Sequence, residues 1–370
     1  MPTLFGSWIS RKDLLTRVGD LSQVAGVTPS TLADGWARGV RKLEVRTGSG
    51  LRYDVLLDRG ADIGLFELDG MSLCWMPPMQ LPGPWYYESK GDGWLRTGLG
   101  GLFNTAGLTH IGTPTDDEVS EYRRPGNPPE HFGTHGRAAH IPAELVSSGA
   151  EWDGDECEVH VTARVRQASA YGENVVMTRR YASRVGESTV TVTDVIVNEG
   201  FNRTYFEMLY HFNIGYPLLD AGSFMVVPVK RFLTSLFAPT SGGDDFFRYP
   251  APQRDHVLQS AEFELIPNEE GLVSATVVNP NVAGGLALAV TWQHERMPIF
   301  HSARVVSEGL YFVGLEPSTN QFGRQEQKRL GLLRSLEPGE SVEHRLVLRV
   351  LRGPDEVGPL VEANRGGNHG

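Results

Sequence analysis

Cysteine is almost absent from this 370-residue chain: Cys74 and Cys157 stand far apart and outside any Cys-x-x-Cys spacing. That excludes a disulfide framework and a thiolate zinc site, so both side chains read as reduced thiols. Long apolar runs are missing too, and nothing approaches the roughly 20 residues of a membrane-spanning helix. The N-terminal segment carries Arg11, Lys12, Asp13, Arg17 and Asp20 where a secretory signal would need an apolar core. Basic charge is scarce, with 34 Lys and Arg against 45 Asp and Glu and a net charge of −11. That balance opposes a phosphate-backbone footprint. No His-Glu-x-x-His, P-loop or dinucleotide fingerprint occurs. These absences together predict a cytoplasmic protein with no nucleic-acid or membrane partner and no cofactor.

What is present is a globular composition, 40% hydrophobic and 21% charged, enough for a sizeable core. Ser10 and Asp13 resemble a helix N-cap followed by Leu14, Val18 and Leu21 at helical spacing. Residues 1–35 therefore read as an N-terminal extension with a short helix, packed on the main body. From Arg41 the period becomes two: Leu43 and Val45, a Gly48-Ser49-Gly50 turn, then Leu51, Tyr53 and Val55. The same alternation returns at Cys157 to Val165, Val190 and Val192, Phe263 and Leu265, Leu286 to Val290, and Leu346 to Val350. No strand-helix-strand alternation appears, so the expectation is an all-β sandwich of antiparallel strands, one domain over 36–354, with 355–370 as a tail. Residues 76–134 are rich in proline, glycine and aromatics, and loops this long in a compact domain are usually functional or disordered.

Three stretches carry chemistry. In Tyr210 to Pro217, strand alternation sets Glu207, His211 and Asn213 on one face and Met208, Tyr210 and Phe212 on the other. His211 could equally be a buried histidine satisfied by a neighbouring carbonyl. Thr134 to Pro142 holds His135, Arg137 and His140 between Gly133 and Pro142, on a functional or simply solvated loop. In Gly309 to Arg324 an apolar strand ends in Glu316-Pro317, which makes Glu316 either a general base or the partner of Arg324.

These stretches, with Leu57 to Gly64 and Gly100 to Leu108, resemble the aldose 1-epimerase (galactose mutarotase-like) superfamily, and more narrowly its DUF4432 branch. The resemblance implies a galactose mutarotase-like β-supersandwich with the site on its concave face. It implies His211 as the acid that protonates a sugar ring oxygen, Glu316 as the base on the anomeric hydroxyl, and His135 as a binding and polarising group. Substrate contacts are expected from Arg59, Asn104, Arg137, Glu207, Asn213, Gln321 and Arg324. The arginines leave a carboxylated, sulfonated or phosphorylated sugar open alongside a neutral one. The partner is then a small-molecule sugar, and a homo-oligomer is compatible with this reading. Two alternatives stand beside it: a non-catalytic carbohydrate-binding protein, and a metal-dependent isomerase or lyase drawing ligands from His131, His135, His140, His211 and Glu207.

Overall fold

Period-two alternation governs the architecture. The computed structural model of the chain describes residues 2–123, 126, 128–238, 240 and 242–366. An eight-stranded antiparallel sheet runs in the order 144–153, 156–168, 174–184, 189–198, 341–352, 286–293, 272–279 and 224–226. A six-stranded antiparallel sheet runs 229–237, 259–265, 299–307, 310–318, 207–214 and 103–108. A third sheet of five strands is built from 26–31, 41–46, 51–56, 62–68 and 71–72.

The core lies between the facing sheets. Val159, Val161 and Val165 from the large sheet, and Phe212, Phe263 and Leu315 from the six-stranded one, belong to one continuous buried cluster. On the six-stranded sheet the alternate residues point the other way, so this sheet has a core face and a site face.

One ionic knot joins all three sheets. Arg179 donates from Nε and Nη2 to Asp194 at 2.8 and 2.7 Å, and from Nη1 to Asp62 at 2.7 Å and to Thr105 Oγ1 at 2.9 Å. Tyr210 donates its hydroxyl to Asp194 at 2.6 Å. All five side chains are buried. A guanidinium has five fixed donors, so these acceptors hold it in one pose.

The chain differs from the sequence expectation at four places. Ser10 does cap a helix, accepting from the Asp13 amide at 3.0 Å, but that helix is only Arg11–Leu15. The strand Gly26–Thr31 falls inside the segment expected as an extension and pairs along its length with Arg41–Arg46. The expected tail begins as a helix, Gly353–Gly366, whose Val357, Leu360 and Val361 pack against Phe224, Val278 and Ala287; residues 367–370 lie outside the described residues. In addition, the loop-rich stretch contains a fully buried strand, Phe103–Leu108, paired with Glu207–Ile214.

Removing one member of a buried ion pair leaves its partner charged and unpaired. Asp194→Ala should therefore lower unfolding stability by about 3–5 kcal/mol. Urea unfolding of the two proteins measures this, and a difference below about 1 kcal/mol would show that the knot is dispensable.

Candidate active site

The register of two neighbouring strands creates the site. Leu209 lies opposite Ser318 and Phe212 opposite Leu315, which sets His211 across from Glu316 on the face turned away from the core. His211 Nε2 and Glu316 Oε1 are 3.5 Å apart. A slip of one residue would put the two side chains on opposite faces of the sheet. Among the described residues, neither Glu316 Oε1 nor His211 Nδ1 has a hydrogen-bond partner, although both atoms are buried. Two such atoms side by side at a cavity surface are available to a ligand or a reaction.

Gly314 explains how the carboxylate fits. It precedes Glu316 by two residues on the same strand face, and a Cβ there would collide with Glu316 Oε1. A glycine inside a strand often marks such a close approach.

His135 reaches the pair from the loop before residue 136. Its backbone is left-handed, with φ +57°, and Gly136 follows at φ +70°. The Gly112 amide donates to His135 Nδ1 at 3.3 Å, which leaves the proton of the neutral ring on Nε2. Burial, with the nearby rings of His211, His110 and His301, holds its pKa well below the ordinary histidine value. His135 stands edge-on to His211 at 5.6 Å between ring centres, and Trp94 packs against both, at 4.8 and 5.7 Å.

These groups open on a cavity of about 320 Å³. Its floor is the sheet itself, contributing Phe237, Ser260, Ala303, His211, Phe312 and Glu316. Its walls are irregular segments that contribute Asp92, Trp94, Leu99, Pro114, Thr134 and Phe322. The volume falls at the small end of ligand pockets.

The family comparison falls on this architecture. Residues 37–350 match the model of a family described as Domain of unknown function (DUF4432). The chain belongs to the DUF4432 family. No match was found among curated proteins. Among solved structures, a provisionally named aldose 1-epimerase from Klebsiella pneumoniae is similar at 20% identity and a TM-score of 0.81, over 98% of this chain and 92% of that one. A galactose mutarotase-like protein from Clostridium acetobutylicum gives a TM-score of 0.61 at 12% identity, over 88% of this chain and 98% of its own. Galactose 1-epimerase from Lactobacillus acidophilus gives 0.56 at 16% identity, over 88% and 99%. The fold of this DUF4432 protein is thus the galactose mutarotase-like β-supersandwich.

Of the residues expected to contact substrate, the structure brings none to the cavity lining beside His211, Glu316 and His135. Arg59 is wholly buried and donates to the carbonyls of Pro82, Thr97 and Gly98 at 2.6, 2.7 and 2.8 Å. Arg324 is held by Asp117 at 2.8 Å, the Thr109 carbonyl at 2.5 Å and Glu207 at 2.6 Å. Glu207 is thereby occupied as well, since its second oxygen accepts from Asn320 at 2.9 Å. Arg137 pairs with Glu173 and lines a separate cavity of about 240 Å³ with Tyr87 and Tyr122. Asn213 donates to Asn104 at 3.1 Å, and Asn104 clasps the backbone of Gly100 from both sides. Gln321 donates to Glu262 at 2.6 Å and lines a neighbouring cavity of about 520 Å³.

Among the described residues, the groups considered as metal ligands do not gather into one set, and only His135 and His211 adjoin. His131 meets Asp116 at the surface and His140 meets Thr97 at 3.0 Å, away from His135 and His211. Trp94, one of the loop aromatics that could hold the apolar face of a sugar ring, does line the cavity, whereas sequence reasoning missed Phe312, Phe322, Gly112 and Gly314. Of these only Gly314 carried a signal, a glycine two positions before a glutamate inside a strand.

Three buried histidines make the protein acid-sensitive. Burial lowers His140 to about 3, with Arg59 adding to the effect, and lowers His344 to about 4, while His135 lies well below its ordinary value. These rings stay neutral in the folded state while the unfolded chain takes up protons below the ordinary histidine value of 6.5. Stability should thus be undiminished above about pH 6.5 and fall as pH drops towards about 4, by roughly 3 kcal/mol for His344 alone. Urea midpoints measured across that range check it, and His344→Gln should flatten the slope.

Proposed function

We propose that this protein interconverts the anomers of an aldose by general acid-base ring opening. The observation that carries the reading is the His211–Glu316 contact at 3.5 Å on the floor of a sugar-sized cavity, with neutral His135 beside it. The two oxygens that exchange protons in mutarotation are bonded to the same carbon, so an acid and a base side by side can serve both. They need not flank opposite faces of the ring.

In this mechanism Glu316 removes the proton of the anomeric hydroxyl while His211 delivers one to the ring oxygen. The electron pair left on the anomeric oxygen forms the aldehyde carbonyl, and the bond from carbon 1 to the ring oxygen breaks with its pair passing to that oxygen. Rotation about the bond between carbons 1 and 2 exposes the other carbonyl face. Closure reverses both transfers: His211 takes back the proton of the freed hydroxyl as it attacks, Glu316 returns its own, and the site is reset. His135, donating from Nε2, is suited to hold a hydroxyl next to the reacting centre. A positioned acid and base each contribute about 10²–10⁴-fold, which suffices for a reaction that already proceeds slowly in water. The likeness to named epimerases supports the reading through the fold, and the arrangement of these three side chains supports it through chemistry.

Two variants test it by anomer-exchange NMR. Glu316→Gln should cost at least about a hundredfold in turnover with sugar affinity largely kept. Near-normal turnover would remove Glu316 from the role of base. Gly314→Ala, which keeps every reacting group but displaces the carboxylate, should cost on the order of a hundredfold as well, because small misplacements of a reacting group are that expensive. An unchanged melting temperature would tie the loss to geometry.

A further inference from the structure

The composition of the cavity wall narrows the substrate. Among the described lining residues, the carboxylates are Asp92 and Glu316, there is no lysine or arginine, and the one cation of the mechanism, protonated His211, already faces Glu316 at 3.5 Å. The three arginines expected to bind substrate are engaged by the protein itself: Arg59 by carbonyls, Arg137 by Glu173, and Arg324 by Asp117 and Glu207. A carboxylate, sulfonate or phosphate on the sugar would meet Asp92 and Glu316, charges of its own sign, with no lysine or arginine to offset them.

The wall is also poor in groups for hydroxyls. Thr134 spends its hydroxyl proton on Asp92 at 2.8 Å, which leaves the second Asp92 oxygen as an acceptor at the exposed edge of the wall. Beyond His135, His211 and Glu316, the remaining hydroxyl groups are those of Thr113 and Ser260. Opposite them stands a continuous apolar surface. Trp94, Leu99 and Phe312 belong to one cluster with Trp75 and Val305, apart from the main core, and Leu258 packs on it. All four cavity-facing members, Trp94, Leu99, Leu258 and Phe312, line the cavity. A hydroxyl pressed there would lose water and gain no partner, whereas a methyl or methylene group would gain burial.

We propose that the site selects a neutral aldose lacking a hydroxyl at a carbon remote from the anomeric centre, a deoxy sugar whose bare carbon packs on the cluster of Trp94, Leu99, Leu258 and Phe312. The assignment rests on the anomer-exchange reading for which end of the sugar faces His211 and Glu316.

The test uses the unmodified full chain and matched trios of one configuration: an aldohexose, its 6-deoxy form and its uronic acid, in the galactose, glucose and mannose series. Ligand-observed NMR gives Kd, and exchange NMR gives kcat/KM. In at least one series the 6-deoxy sugar should exceed its parent by roughly tenfold or more in both measurements. The uronic acid should fall at least about a hundredfold below, as expected where like charges are brought together. Tightest binding by a parent sugar or a uronic acid would overturn the proposal, and so would failure of every sugar to bind. The order in Kd without any catalysed exchange would support the substrate class while overturning the acid-base mechanism. Leu258→Asn supplies a second check: it should shrink the preference for the deoxy form over its parent, and an unaltered ratio would argue against the apolar contact.

Discussion

Buried guanidinium groups hold this molecule together where regular hydrogen bonding ends. Arg59, Arg179 and Arg324 are among the largest fully buried side chains. Arg179 joins three sheets through Asp62, Thr105 and Asp194. Arg59 and Arg324 do the corresponding work for loops, since irregular backbone inside a protein leaves carbonyls that no ladder satisfies. Arg59 gathers the carbonyls of Pro82, Thr97 and Gly98, and so fixes the turn that carries Trp94 and Leu99. Arg324 fastens Thr109 and Asp117, bracketing the segment with Gly112, Thr113 and Pro114. Both walls of the cavity are therefore anchored by cations that never touch it.

The floor depends on a different constraint, strand register. His211 and Glu316 are brought together by one antiparallel pairing, and the buried faces of the same strands fix that pairing. Two remote parts of the chain thus meet with the precision of a ladder, about as rigid a scaffold as a protein offers. The glycine at 314 then lets the carboxylate lie flat along its own strand.

Much of this was legible in the sequence, for identifiable reasons. Strands with one buried face announce themselves by alternation, and those at 156–168, 189–198, 286–293 and 341–352 lie where the pattern puts them. Phe103–Leu108 escaped because Asn104, Thr105 and Gly107 disguise a strand buried on both faces, with Asn104 serving a turn and Thr105 an ion pair. The meeting of His211 and Glu316 could be anticipated only through family resemblance, because pairing partners far apart in sequence leave no local trace. The arginines misled for a physical reason: charge beside a motif suggests a ligand, yet a long side chain can as easily turn inward to carbonyls. Arg179 had a readable sign, a cation at an inward position between Met177 and Tyr181, and its partners were invisible until the sheets were stacked.

The separation between a floor made of strands and an enclosing rim made of short connecting segments has an evolutionary consequence. Substitutions at Leu99 or Leu258 can retune which molecule is admitted while His211 and Glu316 stay opposite each other, since neither residue sets the alignment of the two strands. Diversification on this scaffold can therefore proceed by exchanging short surface segments, leaving the His211–Glu316 pairing intact.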